Sequence, residues 1–152
     1  MKIFNEFVDK GLVREENIDP ALIGKVLAKA KRGIKSSELL FEDGDSEGSY
    51  ELAYEAMLLA GRALVFSFGF RPRAAGSHKI VVDLVESIMG DENGVLVFKF
   101  NKMRKNRHYL IYGSGLSISN IEAKNAFASA DEMLKKIEKI IEEKNPQGKL
   151  EL

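Results

Sequence analysis

The sequence predicts an all-α fold, an up-and-down bundle of four or five helices with an additional short helix at the N-terminus. Three observations predict it. Apolar residues recur at helical spacing in about six segments. Glycine, proline and helix-capping residues separate these segments, and no segment repeats. Because short loops make successive helices antiparallel, a bundle is the economical topology.

Composition limits the classes of function. The chain of 152 residues predicts one domain spanning 1–152, and its 23 basic and 23 acidic residues cancel, so any nucleic-acid surface must be a local patch. The absence of cysteine excludes disulfides and thiolate metal sites, and two histidines are too few for an all-histidine zinc site. We therefore expect no metal and no cofactor. No apolar run approaches the roughly 20 residues of a membrane span, and no signal peptide is recognisable, so we expect a cytoplasmic protein without a membrane partner.

The first half of the chain predicts three helices. A short amphipathic helix over residues 2–14 would pack onto the main body through apolar residues at helical spacing: Ile3, Phe4, Phe7, Val8, Leu12 and Val13. Asp19 and Pro20 are typical of a helix start, as N-cap and first helical residue. A turn over 41–49 precedes a third helix from about Ser49 to Phe68, whose small residues permit close helix packing.

The second half begins where Gly69-Phe-Arg-Pro72 ends the third helix, and Ser77 starts the next. Val95 to Phe100 reads Val-Leu-Val-Phe-Lys-Phe and has the local propensity of a strand. A lone strand would have no partner, so we predict a helix there. Ser119 and Glu122 form a capping box for the last helix.

The most unusual stretch is 101–112, where five basic or titratable side chains fall within seven residues. We call them the basic cluster: Lys102, Arg104, Lys105, Arg107 and His108. At the spacing i, i+4, Arg104 and His108 share one helix face. A histidine that moves a proton beside a guanidinium that holds a phosphate suits RNA cleavage by a ribose 2′-hydroxyl, without metal.

The neighbours of this pair would strengthen binding. Lys102, Lys105 and Arg107 would attract the phosphate backbone, and Tyr109 and Tyr112 could stack on bases or hydrogen-bond a phosphate. The alternative is structural, because basic residues near a helix C-terminus are expected from the helix dipole alone.

A second group of basic side chains is Arg71, Arg73, His78 and Lys79. It could form a secondary anion site at a helix N-terminus. Alternatively, His78 packs structurally in the turn between two helices.

Several of these segments resemble the HEPN superfamily, a group of nucleotide-binding helical domains. They are Asp-Pro-Ala-Leu-Ile at 19–23, the helix over 50–64, Gly-Phe-Arg-Pro at 69–72, Ser-His-Lys at 77–79 and Met-Arg-Lys-Asn-Arg-His-Tyr at 103–109, before the capped final helix. The resemblance covers about residues 19–142, which would be the core of the domain.

The resemblance implies a helical bundle that is usually a homodimer. In many members two Arg-x(4–6)-His motifs meet in a cleft that cuts RNA without metal, often in toxin or defence systems with a small nucleotidyltransferase partner. Here the motif would be Arg104 and His108, with Asn106 as the polar residue between them and a further nucleic-acid contact. Three residues separate the pair in this sequence, rather than four to six.

Three functions follow from these observations. The first is a dimeric protein that binds RNA or a nucleotide. The second is a metal-independent endoribonuclease that uses Arg104 and His108. The third is a protein-interaction module without nucleic-acid binding, which would expose an apolar patch on the last helix or on the first, at Phe4 and Phe7.

Overall fold

The structure, a computed structural model, describes residues 2–73, 77–111 and 117–144. Six α-helices lie within these ranges: α1 (Lys2–Asp9), α2 (Pro20–Glu42), α3 (Ser46–Ser67), α4 (Ser77–Met89), α5 (Gly94–Ile111) and α6 (Asn120–Lys144). One antiparallel pair joins β1 (Val13–Glu15) to β2 (Phe70–Pro72), and a 3-10 turn, Asp91–Asn93, precedes α5. The prediction of an all-α bundle is confirmed, with this small sheet added to it.

Helix α3 is the centre of the bundle and contacts α2, α4, α5 and α6. Its buried side is rich in small residues, which allows close approach of the neighbouring helices: Ala53, Ala56, Ala60, Gly61 and Ala63. The predicted role of these residues in close packing agrees with their burial. None of the described helices has the length and the apolar character needed to cross a membrane.

The predicted helix caps at Asp19 and Ser119 are confirmed. The Asp19 carboxylate accepts a hydrogen bond of 2.9 Å from the Ala21 amide, with Pro20 as the first helical residue. Ser119 Oγ and the Glu122 carboxylate accept from each other's backbone amide, at 3.1 and 3.2 Å. These bonds satisfy amides that the first turn of a helix leaves without partners.

The start of α3 differs from the prediction. The helix begins at Ser46 rather than near Ser49 because the Asp45 carboxylate accepts a 2.8 Å hydrogen bond from the Gly48 amide. The acidic turn that separates α2 from α3 is therefore shorter than its composition indicates.

The end of the first helix also differs from the prediction. Helix α1 stops at Asp9, and Gly11 adopts a left-handed conformation with φ of 71°. Val13 then enters β1 and pairs with Pro72, so its partner lies far along the chain and cannot be seen in local periodicity. The expected packing of this helix is confirmed, because the buried Phe4 ring stacks on Phe70 at 4.1 Å between centroids.

Residues 95–100 form part of α5, as predicted. Leu96, Val97 and Phe100 are buried against the bundle. Val95 and Phe98 point away from it and are 73% and 68% exposed. This helix is therefore apolar on its inner side and partly apolar on its outer side.

Candidate functional site

The basic cluster occupies the second half of α5, whose inner side is anchored by the buried side chains of Phe100 and Met103. Within the cluster Lys102, Lys105 and His108 are exposed, whereas Arg104 and Arg107 are half-buried. Packing of α5 thus holds the two guanidinium groups close to the body of the protein, with the amines and the imidazole at the surface.

Arg107 is held by α3. Its Nη2 donates to the Glu55 carboxylate at 2.8 Å, and its guanidinium carbon lies 5.7 Å from the centroid of the Tyr54 ring. An ion pair combined with a cation–π contact fixes the orientation of the side chain. The charge of Arg107 is therefore largely compensated by Glu55, and the side chain joins α5 to α3.

Arg104 has a different environment. Its Nε donates to Asn101 Oδ1 at 3.0 Å, within the same helix. No carboxylate of the described residues lies within ion-pair distance of it. His108 follows one turn later on the same side of α5, and the His108 ring meets the edge of the Tyr109 ring at 6.1 Å between centroids. The structure thus brings the predicted pair Arg104 and His108 together on one helix face.

Asn106 faces the bundle. Its Nδ2 donates to the hydroxyl of Tyr50 at 3.0 Å, and burial raises the pKa of Tyr50 above its usual value. Tyr109 is 51% exposed, and Tyr112, the other tyrosine of the predicted surface, lies outside the described residues. Of the predicted nucleic-acid contacts, Lys102, Lys105 and Tyr109 are exposed.

A small hollow of about 170 Å³ lies beside Asn106, between α3, α5 and α6. Its polar lining includes residues that the sequence analysis did not select: Tyr50, Lys99, Glu122, Asn125 and Ser129. Lys99 stands three residues before Lys102, a spacing that places both amines on one side of the helix. That spacing could have predicted Lys99 from the sequence. The lining residues from α3 and α6 depend on tertiary packing and could not have been predicted in this way.

The Tyr54 ring that Arg107 contacts also forms a pair with His78, which the sequence did not predict. The Tyr54 hydroxyl lies 2.9 Å from Nδ1 of His78. Burial, with the charge of Glu55 adding to it, raises the pKa of Tyr54. Burial and the nearby charges of Arg62 and Arg107 lower the pKa of His78. This lowering favours the neutral form of the histidine at the start of α4.

The predicted secondary anion site is divided by the structure. Arg71 and Arg73 line an open hollow, but His78 bonds to Tyr54 and Lys79 pairs with Asp83 at 3.2 Å. Two further arginines, Arg14 and Arg62, also line this hollow. No group of three or more His, Asp or Glu side chains is placed to hold a metal ion within the ranges that the structure describes.

Comparison with known proteins agrees with this architecture. No curated protein matches the chain. The model of a protein family described as the HEPN domain matches residues 23–143, which cover α3 to α5 with the basic cluster, nearly all of α2 and nearly all of α6. Because this match extends over most of the sequence and the fold is a helical bundle, the chain belongs to the HEPN domain family.

Proposed function

We propose that the protein is a homodimer that binds RNA or a nucleotide on the outer face of α5. The observation that carries the proposal is the state of Arg104, a half-buried guanidinium without a carboxylate partner among the described residues. The exposed side chains of Lys102, Lys105 and His108 lie within four residues of it on the same helix. Family membership supports a role connected with RNA or nucleotides in general.

The charges suit a phosphate backbone. Arg104 donates through Nε to Asn101, and the outer nitrogens of its planar guanidinium can bind two phosphate oxygens. Lys102 and Lys105 add attraction that needs no fixed geometry. Tyr109 is exposed by half and offers a ring on which a base can stack. Since the chain as a whole is neutral, this local surface supplies the attraction.

The outer face of α5 also supports the dimer. Val95 and Phe98 are highly exposed, and helical spacing continues their line to Lys102, Lys105 and Tyr109. Exposed apolar side chains beside polar ones are typical of a protein interface. In a twofold dimer centred on Val95 and Phe98, the first halves of the two copies of α5 contact each other, and Lys102, Lys105 and Tyr109 stay accessible beside the contact. The two copies of Arg104 and His108 then lie at the edge of one cleft.

A metal-independent endoribonuclease is the second candidate, favoured by the position of His108. The imidazole is exposed one turn from Arg104, so a proton could move at a ribose 2′-hydroxyl while the guanidinium holds the phosphate. A small nucleotidyltransferase in a toxin or defence system is the partner protein that the family resemblance suggests.

Binding is tested with a labelled single-stranded RNA and fluorescence anisotropy at several salt concentrations. The double variant Lys102→Ala/Lys105→Ala should weaken binding at least about tenfold and reduce the salt slope by about 0.7 for each phosphate that the variant no longer neutralises. The matched control is Lys25→Ala/Lys29→Ala, which removes two exposed lysines of α2. Equal weakening in both double variants would contradict the proposal. Dimerisation without salt-dependent RNA affinity would instead indicate the interaction module.

Cleavage is tested by incubating the same RNA with the protein in EDTA. Products with cyclic-phosphate ends that disappear in His108→Ala but persist in His78→Asn would establish the endoribonuclease. Undiminished cleavage by His108→Ala would reject the assignment of His108, and an absence of cleavage by the unmodified protein would leave binding as the function.

A further inference from the structure

We propose that the hollow lined by four arginines binds an organic phosphate whose body is apolar or aromatic. The hollow has a volume of about 710 Å³, which lies in the usual range of roughly 300–1,000 Å³ for small-molecule sites. We call it the arginine hollow, after Arg14, Arg62, Arg71 and Arg73. None of these residues belongs to the basic cluster, so the proposal goes beyond the function proposed for α5.

The sheet concentrates positive charge at this hollow. Antiparallel pairing sets Arg14 directly opposite Arg71, an arrangement of like charges that is destabilising by itself. Glu16 lies between them and accepts from Arg14 at 3.1 Å and from Arg71 at 2.6 Å. One carboxylate thus serves two guanidinium groups, and a bound anion would compensate the charge that remains.

The other two arginines carry no such compensation. Neither Arg62 nor Arg73 forms an ion pair with a carboxylate of the described residues, and the described lining of the hollow contains no acidic side chain. Arg62 Nη2 instead donates to Ser77 Oγ at 3.3 Å. Guanidinium groups match the oxygens of a phosphate with paired hydrogen bonds, so this lining suits a phosphate.

Apart from Ser77, the rest of the lining is apolar. It consists of Leu22, Val26, Leu59, Phe66 and Pro72. Leu22 is 38% exposed, and the guanidinium carbon of Arg71 lies 4.8 Å from the centroid of the Phe66 ring, which fixes the plane of that arginine. An apolar wall beside fixed cationic groups distinguishes the hollow from a surface that binds inorganic ions, since part of the ligand would be covered by carbon.

The test is calorimetric titration of the full chain with four separate probes: adenosine monophosphate, phenyl phosphate, inorganic phosphate and adenosine. We expect the two phosphate esters to bind more tightly than inorganic phosphate, and adenosine to bind weakest. Which ester binds better distinguishes a nucleotide from a simpler aromatic phosphate. Adenosine binding as tightly as its monophosphate, inorganic phosphate binding as tightly as the esters, or no binding of either ester would overturn the proposal.

Variants locate the binding. Arg14→Gln/Arg73→Gln should weaken the better ester at least about tenfold, while Arg32→Gln, which changes an exposed arginine of α2, should not. Glu16→Gln keeps a hydrogen-bond acceptor for Arg71 but removes the competing charge, so affinity should increase at least about twofold. A gain of affinity cannot arise from misfolding. Unchanged or weaker binding by Glu16→Gln would contradict the role of the arginines.

Arg104→Ala separates this proposal from that for α5. It should weaken RNA binding while leaving unchanged the ester affinity that Arg14→Gln/Arg73→Gln weakens. Loss of both in Arg104→Ala would place the ester on α5 and reject the arginine hollow as the site. Retention of ester binding with no RNA affinity in any variant would support the hollow and reject the function proposed for α5.

Discussion

The hydroxyl of Tyr54 lies 2.9 Å from Nδ1 of His78 and joins the middle of α3 to the first turn of α4. The tyrosine is fully buried, and burial raises its pKa. Its hydroxyl therefore stays protonated and can donate a hydrogen bond to a neutral imidazole. Arg107 of the basic cluster lies against the same tyrosine ring. The Tyr54–His78 pair therefore packs beneath Arg107 on the inner side of α5.

The pH dependence of stability should report this pair. Burial and the charges of Arg62 and Arg107 lower the pKa of His78 in the folded state. When the pH falls below the usual histidine pKa of about 6.5, the unfolded chain takes up a proton that the folded chain resists. The free energy of unfolding should therefore decrease from about pH 6.5 down to the pKa of folded His78. Urea denaturation between about pH 7.5 and 5 measures it.

The variant His78→Asn should lose most of this pH dependence, because its amide can still bond to Tyr54 but does not titrate. The matched control is His108→Asn, which changes the other histidine of the chain and leaves His78 in place. Retention of the full pH dependence by His78→Asn would assign it to other groups.

The two half-buried arginines of the basic cluster should respond differently to removal. Arg107 is paired with Glu55, so Arg107→Ala should lower the free energy of unfolding by about 1 kcal/mol, from a partly exposed ion pair and a cation–π contact. Arg104→Ala should affect stability less and weaken RNA binding more, because its charge is not matched by a described carboxylate. Thermal unfolding and RNA titration of both variants test this prediction. A larger decrease of RNA affinity in Arg107→Ala than in Arg104→Ala would instead make Arg107 the main RNA contact.

Local sequence signals predicted the helices well where the cause was local. The caps at Asp19 and Ser119 need only neighbouring residues. The strand Val13–Glu15 needs Phe70–Pro72, to which only the folded chain brings it. For α5 the β-branched and aromatic residues at 95–100 favoured a strand, and the expectation that a lone strand would have no partner correctly predicted a helix.

The candidate site was predictable to the same extent. Arg104 and His108 could be placed on one face because helical spacing is sufficient for that. The neutralisation of Arg107 by Glu55 and the turn of Asn106 towards Tyr50 depend on how α3 packs against α5. The arginine hollow is lined by residues from separate segments of the chain. Of its four arginines, the sequence analysis grouped only Arg71 and Arg73, which are close in sequence.

The packing of α3 against α4 should make Gly61 sensitive to substitution. A Cβ at Gly61 would lie 2.8 Å from Val81 Cγ1 and 3.1 Å from Val85 Cγ2. Although alanine favours a helix over glycine by about 1 kcal/mol, overpacking costs about 1–3 kcal/mol, so Gly61→Ala should destabilise the protein. The control Gly33→Ala places its Cβ 3.5 Å from that of Ala56, an ordinary contact, and should stabilise by about 0.5–1 kcal/mol. If the denaturant midpoints of Gly61→Ala and Gly33→Ala shift in the same direction, the result would contradict the close approach of α3 and α4 at Gly61.

The dimer should depend on the exposed apolar side chains of α5. Phe98→Glu places a charge where the proposed twofold interface would bury an aromatic ring, and the two copies would bring like charges together. We expect the dissociation constant of the dimer to rise at least about a hundredfold, as measured by analytical ultracentrifugation. Ile121→Glu, which changes a similarly exposed apolar residue on α6, is the control and should leave the dimer intact. A dimer that survives Phe98→Glu but dissociates in Ile121→Glu would move the interface from α5 to α6, and the two copies of Arg104 and His108 would then no longer be expected to share a cleft.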